Sequence, residues 1–105
     1  MSVLKNLQPE RVFYYFEEIT KIPHGSGNTK QISDYLAEFA RNHGLRYIQD
    51  ESNNIIIFKE ASKGYEKAPC VILQGHMDMV CEKTPGSAHD FTRDPLKLVV
   101  EGDYI

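Results

Sequence analysis

The residues best suited to chemistry are His76 and Asp78, which are separated by a single residue. In an extended segment, side chains two residues apart point to the same side, so both would face one site. A neutral imidazole nitrogen is a good zinc ligand, and a nearby carboxylate can accept the proton of the other ring nitrogen and fix the tautomer. The pair is therefore a candidate metal ligand with its orienting partner. The bare tripeptide favours the alternative, a hydrogen-bonded His–Asp pair near a strand end.

Of three other groups of titratable residues, two have plainer explanations and one is left open. Glu17 and Glu18 lie on the polar side of a predicted helix, where a solvated face is expected rather than a pair of catalytic carboxylates. His24 and His43 each lie near a helix C-terminus, where cationic character is favourable. His89–Asp90 lies in a predicted loop, and the sequence leaves open whether it is on the surface or beside a substrate.

A structural zinc site is a separate hypothesis. Its candidate ligands are Cys70, His76, Cys81 and His89. Their spacing lacks the close cysteine pairs that zinc modules use. The sequence therefore disfavours this hypothesis.

Two helices are predicted ahead of these residues. Pro9 suits the first turn of the first helix, and Pro23 ends it. Gly44 follows the second helix at the position of a left-handed cap. The apolar residues that recur at helical spacing are Val12, Phe13, Phe16 and Ile19 in the first helix, and Ile32, Tyr35, Leu36, Phe39 and Ala40 in the second.

After Gly44 the spacing of apolar residues becomes that of β-strands. A strand over 45–49, a polar turn over 50–54 and a strand over 55–58 predict a hairpin. The apolar run 70–73 is typical of a central strand covered on both faces. This strand would end just before His76, and ligands gather outside the carboxyl ends of strands in open α/β sheets.

The last residues predict a further hairpin. Leu96, Leu98 and Val100 alternate as in a strand, and Gly102-Asp103 has the pattern of a type II′ turn. Only two residues follow this turn. We therefore expect the 105 residues to be truncated within a hairpin.

Composition excludes several classes of protein. The hydrophobic fraction of 41% and charged fraction of 26% are ordinary for a soluble globular protein. A net charge of −3 without clustered basic residues argues against nucleic-acid binding. No signal peptide or membrane-spanning run is present, so we expect a cytoplasmic protein without a membrane partner. Two cysteines are too few for a disulfide framework.

The string from Val71 to Val80 resembles the first metal motif of the co-catalytic zinc aminopeptidase and carboxypeptidase superfamily. Within it, the chain is most similar to the aminoacyl-histidine dipeptidases, also called Xaa-His dipeptidases. The resemblance runs the full length. It is carried by the 71–80 motif together with Lys21–His24, the 50–57 segment and the later string from His89 to Pro95.

This resemblance implies a hydrolase with two zinc ions about 3.5–4 Å apart. His76 matches the histidine that ligates one metal, and Asp78 matches the catalytic aspartate that orients this histidine. The remaining ligands and the general base are expected beyond Ile105. The expected substrate is a dipeptide, with histidine as the favoured C-terminal residue. The full-length enzyme is expected to pair as a homodimer.

We therefore predict an α/β fold, the N-terminal part of a zinc-peptidase-like catalytic domain with a mixed sheet flanked by helices. Residues 1–105 are expected to form one truncated portion of this domain. The chain alone should be inactive, because a catalytic zinc site needs three protein ligands. The alternative is a non-catalytic structural or interaction module that retains the peptidase scaffold.

Overall fold

The computed structural model describes residues 2–105. The chain divides into two compact units. The first comprises the chain up to Ile32 together with Asp78–Ile105, and the second comprises Ser33–Met77. In residues 2–105 no helix has both the length and the apolar character that crossing a membrane requires.

Helix α1 (Glu10–Thr20) begins after Pro9, as the sequence predicts. Its inward side differs from the predicted apolar stripe, because Val12 and Phe16 are exposed while Glu17 is buried. The prediction that Glu17 belongs to a solvated face is therefore wrong. The reason is that the segment before α1 covers this side chain and satisfies its carboxylate with hydrogen bonds.

The carboxylate of Glu17 ties down the N-terminal segment. It accepts hydrogen bonds from the Ser2 hydroxyl and the Val3 amide, each at 2.6 Å, and from the Leu4 amide at 3.3 Å. Leu4 is only 2% exposed. The Ser2 hydroxyl, followed by the backbone amides, lowers the pKa of Glu17 because donors stabilise the charged form. The buried charge is thus stabilised by its partners.

Helix α2 (Lys30–Asn42) begins in the first unit and continues into the second. Gly44 adopts a φ of 64°. The Leu45 amide bonds to the Ala40 carbonyl at 2.8 Å, and the Gly44 amide bonds to the Arg41 carbonyl at 3.0 Å. These two bonds form a Schellman motif, which confirms the predicted left-handed cap.

The second unit contains the predicted hairpin. Strands β1 (Arg46–Gln49) and β2 (Ile55–Phe58) pair antiparallel, with Arg46 opposite Phe58 and Gln49 opposite Ile55. Nε2 of the Gln49 side chain donates a hydrogen bond to the hydroxyl of Ser33 at 2.7 Å. Ser33 is fully buried in α2, so this bond attaches the hairpin to the helix.

Asp50 shapes the turn of this hairpin. Its Oδ1 accepts hydrogen bonds from the amides of Ser52 and Asn54, each at 2.9 Å, and its Oδ2 accepts one from the Asn54 side chain at 2.9 Å. The Asn54 side chain, with these amides, lowers the pKa of Asp50. Asn53 supplies the left-handed residue of the turn, with φ 67°.

The strand predicted over 70–73 is absent from the part of the chain that the structure describes. This segment has no regular secondary structure, and Val71, Ile72 and Leu73 are 81%, 83% and 93% exposed. The prediction fails here because a strand needs a neighbour to pair with its backbone, and β1 and β2 pair with each other. The α/β character nevertheless holds, with two helices and a two-stranded antiparallel sheet.

The turn near the end of the chain forms as predicted. Glu101 and Tyr104 exchange backbone hydrogen bonds of 3.0 and 3.1 Å, and Gly102 has a φ of 61°. Asp103 keeps a negative φ, so the conformation is that of a type II′ turn. The preceding segment, 96–100, is not a strand.

Candidate functional site

The structure places the two principal candidates in different surroundings. His76 belongs to the second unit and is exposed. Asp78 begins the second segment of the first unit and is half-buried. Within that unit the Ser26 hydroxyl donates a 2.6 Å hydrogen bond to Oδ2 of Asp78. This partner was not identified from the sequence, because 52 residues separate the two side chains.

Backbone pairing brings Ser26 to Asp78. Gly25 and Met79 form an isolated parallel bridge. The Met79 amide donates to the His24 carbonyl at 2.9 Å, and the Ser26 amide donates to the Met79 carbonyl at 3.1 Å. The turn after α1 is therefore fixed alongside the segment that follows Asp78.

Gly25 allows this close approach. It is buried, and a Cβ atom added to it would collide with Sγ of Cys81. The φ of Gly25 is not left-handed, so the requirement for glycine arises from space rather than from backbone conformation. The sequence shows Gly25 only as one of several turn residues, and it gives no sign of the thiol above it.

His24 and His43 have local roles, as the sequence predicts. Nδ1 of His24 donates to the Ile22 carbonyl at 2.6 Å, since a carbonyl oxygen can only accept. Nδ1 of His43 donates to the Phe39 carbonyl at 2.8 Å, and its ring lies 4.1 Å from that of Phe39. His24 therefore bonds to a carbonyl just beyond α1, and His43 bonds to one in the last turn of α2.

His89 lies on the wall of a groove in the first unit. The groove has a volume of about 740 Å³, and nothing in the sequence pattern predicts it. Nε2 of His89 is buried and has no hydrogen-bond partner among residues 2–105, and its ring meets Phe91 edge to face at 4.6 Å. Other lining residues are Met79, Leu96, Leu98 and Tyr104.

Asp90 closes a local turn. Its Oδ1 accepts hydrogen bonds from the Thr92 hydroxyl at 2.6 Å and the Thr92 amide at 2.9 Å. Its Oδ2 lies 3.1 Å from Nε of Arg93. Thr92, its hydroxyl first, holds the pKa of Asp90 below the ordinary range. These contacts show Asp90 stabilising the loop that carries His89.

The described residues do not complete a metal site by themselves. His76 has the chemistry of a zinc ligand and Asp78 that of its orienting carboxylate. Across residues 2–105, however, no three His, Cys, Asp or Glu side chains come together to hold a metal ion. This includes the four residues of the structural-zinc hypothesis. Cys70 and Cys81 are both free thiols.

Comparison with known proteins finds two dipeptidases that are similar to this chain. The chain is 36% identical over all 105 residues to the cytosol non-specific dipeptidase of Escherichia coli (strain K12), of which it covers 22%. It superposes on the crystal structure of aminoacylhistidine dipeptidase from Vibrio alginolyticus with a TM-score of 0.88 and 33% identity. That match covers 94% of this chain and 20% of the solved one.

The resemblance to the aminoacyl-histidine dipeptidases is confirmed. The chain matches the N-terminal part of the dipeptidase structure, and it spans about a fifth of the length of each of these two dipeptidases. No family model matches the chain.

Proposed function

We propose that this chain supplies the first metal ligand, His76, and its orienting carboxylate, Asp78, to the active site of a dipeptidase. The observation that supports this most strongly is the similarity to a dipeptidase over all 105 residues at 36% identity. The proposed substrates are dipeptides, with Xaa-His favoured. The proposed location is the cytoplasm, and the complete enzyme is proposed to be a homodimer.

Two zinc ions are the proposed cofactor, and when bound they supply Lewis acidity and a water of lowered pKa. The roles of the chain's own residues follow from their chemistry. The neutral His76 ring would donate a nitrogen lone pair to the metal. The Asp78 carboxylate would accept the proton on the other nitrogen, which holds the ring in the ligating tautomer. The remaining ligands and the general base would come from outside the 105 residues.

The test uses the complete protein that carries this chain. We expect His76→Ala to remove one equivalent of bound zinc and to abolish hydrolysis of Xaa-His dipeptides. Asp78→Asn keeps the size of the side chain but removes its charge, and should lower metal affinity or activity about 10–100-fold. Metal content by mass spectrometry and kcat/KM for Xaa-His and Xaa-Ala peptides are the measurements.

Matched controls separate loss of chemistry from loss of fold. His43→Ala changes an exposed histidine at the end of α2, and Asp103→Asn changes an exposed aspartate in the last turn. Both should retain metal and activity. Full metal content and activity in His76→Ala would contradict the proposal and favour a non-catalytic module on the peptidase scaffold.

A further inference from the structure

We propose that Ser26 is a positioning residue of the dipeptidase, whose hydroxyl fixes the Asp78 carboxylate that in turn orients His76. This inference rests on the proposed function for the roles of Asp78 and His76. It goes beyond that function by assigning a role to a residue in the turn after α1. Its basis is the contact between the Ser26 hydroxyl and Oδ2 of Asp78.

The length of this hydrogen bond indicates a specific interaction. At 2.6 Å, the Oγ–Oδ2 distance lies within the range of charge-assisted bonds between a hydroxyl and a carboxylate. The hydroxyl has one proton to donate, and it donates it to this carboxylate. Oγ also lies 3.5 Å from the Met79 carbonyl, at the limit of a hydrogen bond. The carboxylate is thus the principal acceptor.

The backbone holds the hydroxyl in place. Ser26 is exposed, and an exposed serine on a free loop would exchange such a bond readily with water. Here the Ser26 amide is bonded to the Met79 carbonyl, one residue beyond Asp78. On the other side Gly25 is buried beneath the Cys81 thiol. The position of Oγ relative to Asp78 is therefore set by the fold of the first unit.

The hydrogen bond to Oδ2 of Asp78 also limits the directions that Oδ1 can take. A carboxylate offers about four acceptor sites on two oxygens, so the Ser26 bond consumes only part of its capacity. Fixing Oδ2 restricts rotation about the Asp78 side chain, and this leaves Oδ1 with a defined direction. A carboxylate must have such a direction to hold an imidazole in one tautomer and orientation.

The exposure of Ser26 and Asp78 determines how much the loss of the Ser26 hydroxyl should matter. Asp78 is half-buried and Ser26 is exposed, so water can partly replace a missing hydroxyl. The effect should therefore lie at the low end of the range for residues that support metal ligands, about tenfold. It should affect metal affinity and kcat more than KM, because Ser26 acts through Asp78 and not through the substrate.

The experiment compares serine variants in the complete protein. Ser26→Ala removes the hydroxyl, while Ser26→Thr retains it. Ser33→Ala alters a fully buried serine of the second unit and serves as a control for lost stability. Ser62→Ala alters an exposed loop serine. Zinc affinity is measured by competition with a chelator, and kcat and KM are measured on an Xaa-His dipeptide.

We expect Ser26→Ala to weaken zinc affinity and lower kcat about tenfold, with KM changed less than about twofold. Ser26→Thr should recover most of the zinc affinity and most of kcat. Ser33→Ala should lower the melting temperature without changing zinc affinity. Wild-type affinity in Ser26→Ala, or an equal loss in Ser33→Ala, would overturn the inference.

The His76→Ala variant separates the two proposals. If it loses zinc while Ser26→Ala binds zinc like the wild type, the inference about Ser26 is wrong and the proposed function stands. If His76→Ala keeps full zinc affinity, the proposed function is wrong and the role of Ser26 falls with it.

Discussion

The thiol of Cys81 occupies the space above Gly25 in which any other residue would place its Cβ atom. Gly25 is also the residue whose bridge to Met79 aligns the turn after α1 with the segment after Asp78. A small residue at this one position therefore allows two segments to come together that lie more than fifty residues apart in the sequence. The geometry around Asp78 depends on this contact.

We expect Gly25→Ala to destabilise the protein by about 1–3 kcal/mol, the usual cost of forcing extra atoms into a packed contact. The cost should nearly vanish in a Cys81→Ala background, because the colliding sulfur is then absent. Thermal unfolding of the two single variants and the double variant measures this coupling. If the losses of stability in the two single variants simply add in the double variant, the contact between Cβ and Sγ is not the cause of the loss in Gly25→Ala.

Gly27→Ala provides a contrast within the same turn. Gly27 has a φ of 80° and nothing within 4 Å of an added Cβ atom. Its substitution should cost about 1–2 kcal/mol through backbone strain. Because this strain does not involve the thiol, Cys81→Ala should not relieve it.

A second prediction concerns pH and Glu17. Hydrogen bonds from Ser2, Val3 and Leu4 lower the pKa of this carboxyl from its ordinary value of 4.5. A group whose pKa is depressed on folding contributes stability above its unfolded pKa, and this contribution is lost as the pH falls through the folded value. Glu17→Gln should therefore be less stable than the wild type at pH 7, and the difference should shrink below pH 4.5.

The measurement is the melting temperature of both proteins from pH 7 down to pH 3, together with hydrogen exchange of the Val3 and Leu4 amides. Glu18→Gln is the matched control, because Glu18 pairs with the exposed Lys21 and such pairs contribute little. A difference between Glu17→Gln and wild type that stayed constant down to pH 3 would exclude the carboxylate as its source.

Local features were predictable because their causes are local. The cap at Gly44 needs only a residue that tolerates a left-handed conformation after a helix, and the turn at Gly102 has the same requirement. The hairpin over 46–58 was likewise predicted from alternation around a polar turn. Residue type and spacing, together with the resemblance, are enough to identify His76 and Asp78 as candidates.

Contacts between distant segments were not predictable. An amphipathic pattern places Glu17 on the polar face of α1, and only tertiary structure brings the Ser2 hydroxyl and two amides to it. The Ser26–Asp78 bond is also non-local. The apolar run at 70–73 has the composition of a buried strand, but strand formation depends on a neighbouring backbone that composition cannot supply.

The exposed apolar run leads to a third prediction. Val71, Ile72 and Leu73 are each more than 80% exposed, and a contiguous apolar segment of this kind favours association. The 105-residue chain should self-associate as its concentration rises. Replacing Ile72 and Leu73 with serine should restore a monomer in sedimentation velocity experiments. Val12→Ser removes a single exposed residue of α1 and should leave the association unchanged. A wild-type chain that stays monomeric at high concentration would contradict the prediction.

The last prediction concerns catalysis by the 105-residue chain itself. A catalytic zinc site needs three protein ligands and a water, and residues 2–105 bring no three suitable side chains together. The chain alone should therefore hydrolyse no dipeptide and should bind zinc without the affinity of a complete site. Product formation from an Xaa-His dipeptide with added zinc is followed by mass spectrometry. The His76→Ala chain, prepared identically, measures contaminating peptidases. Zinc-dependent turnover that disappears in His76→Ala would contradict the prediction.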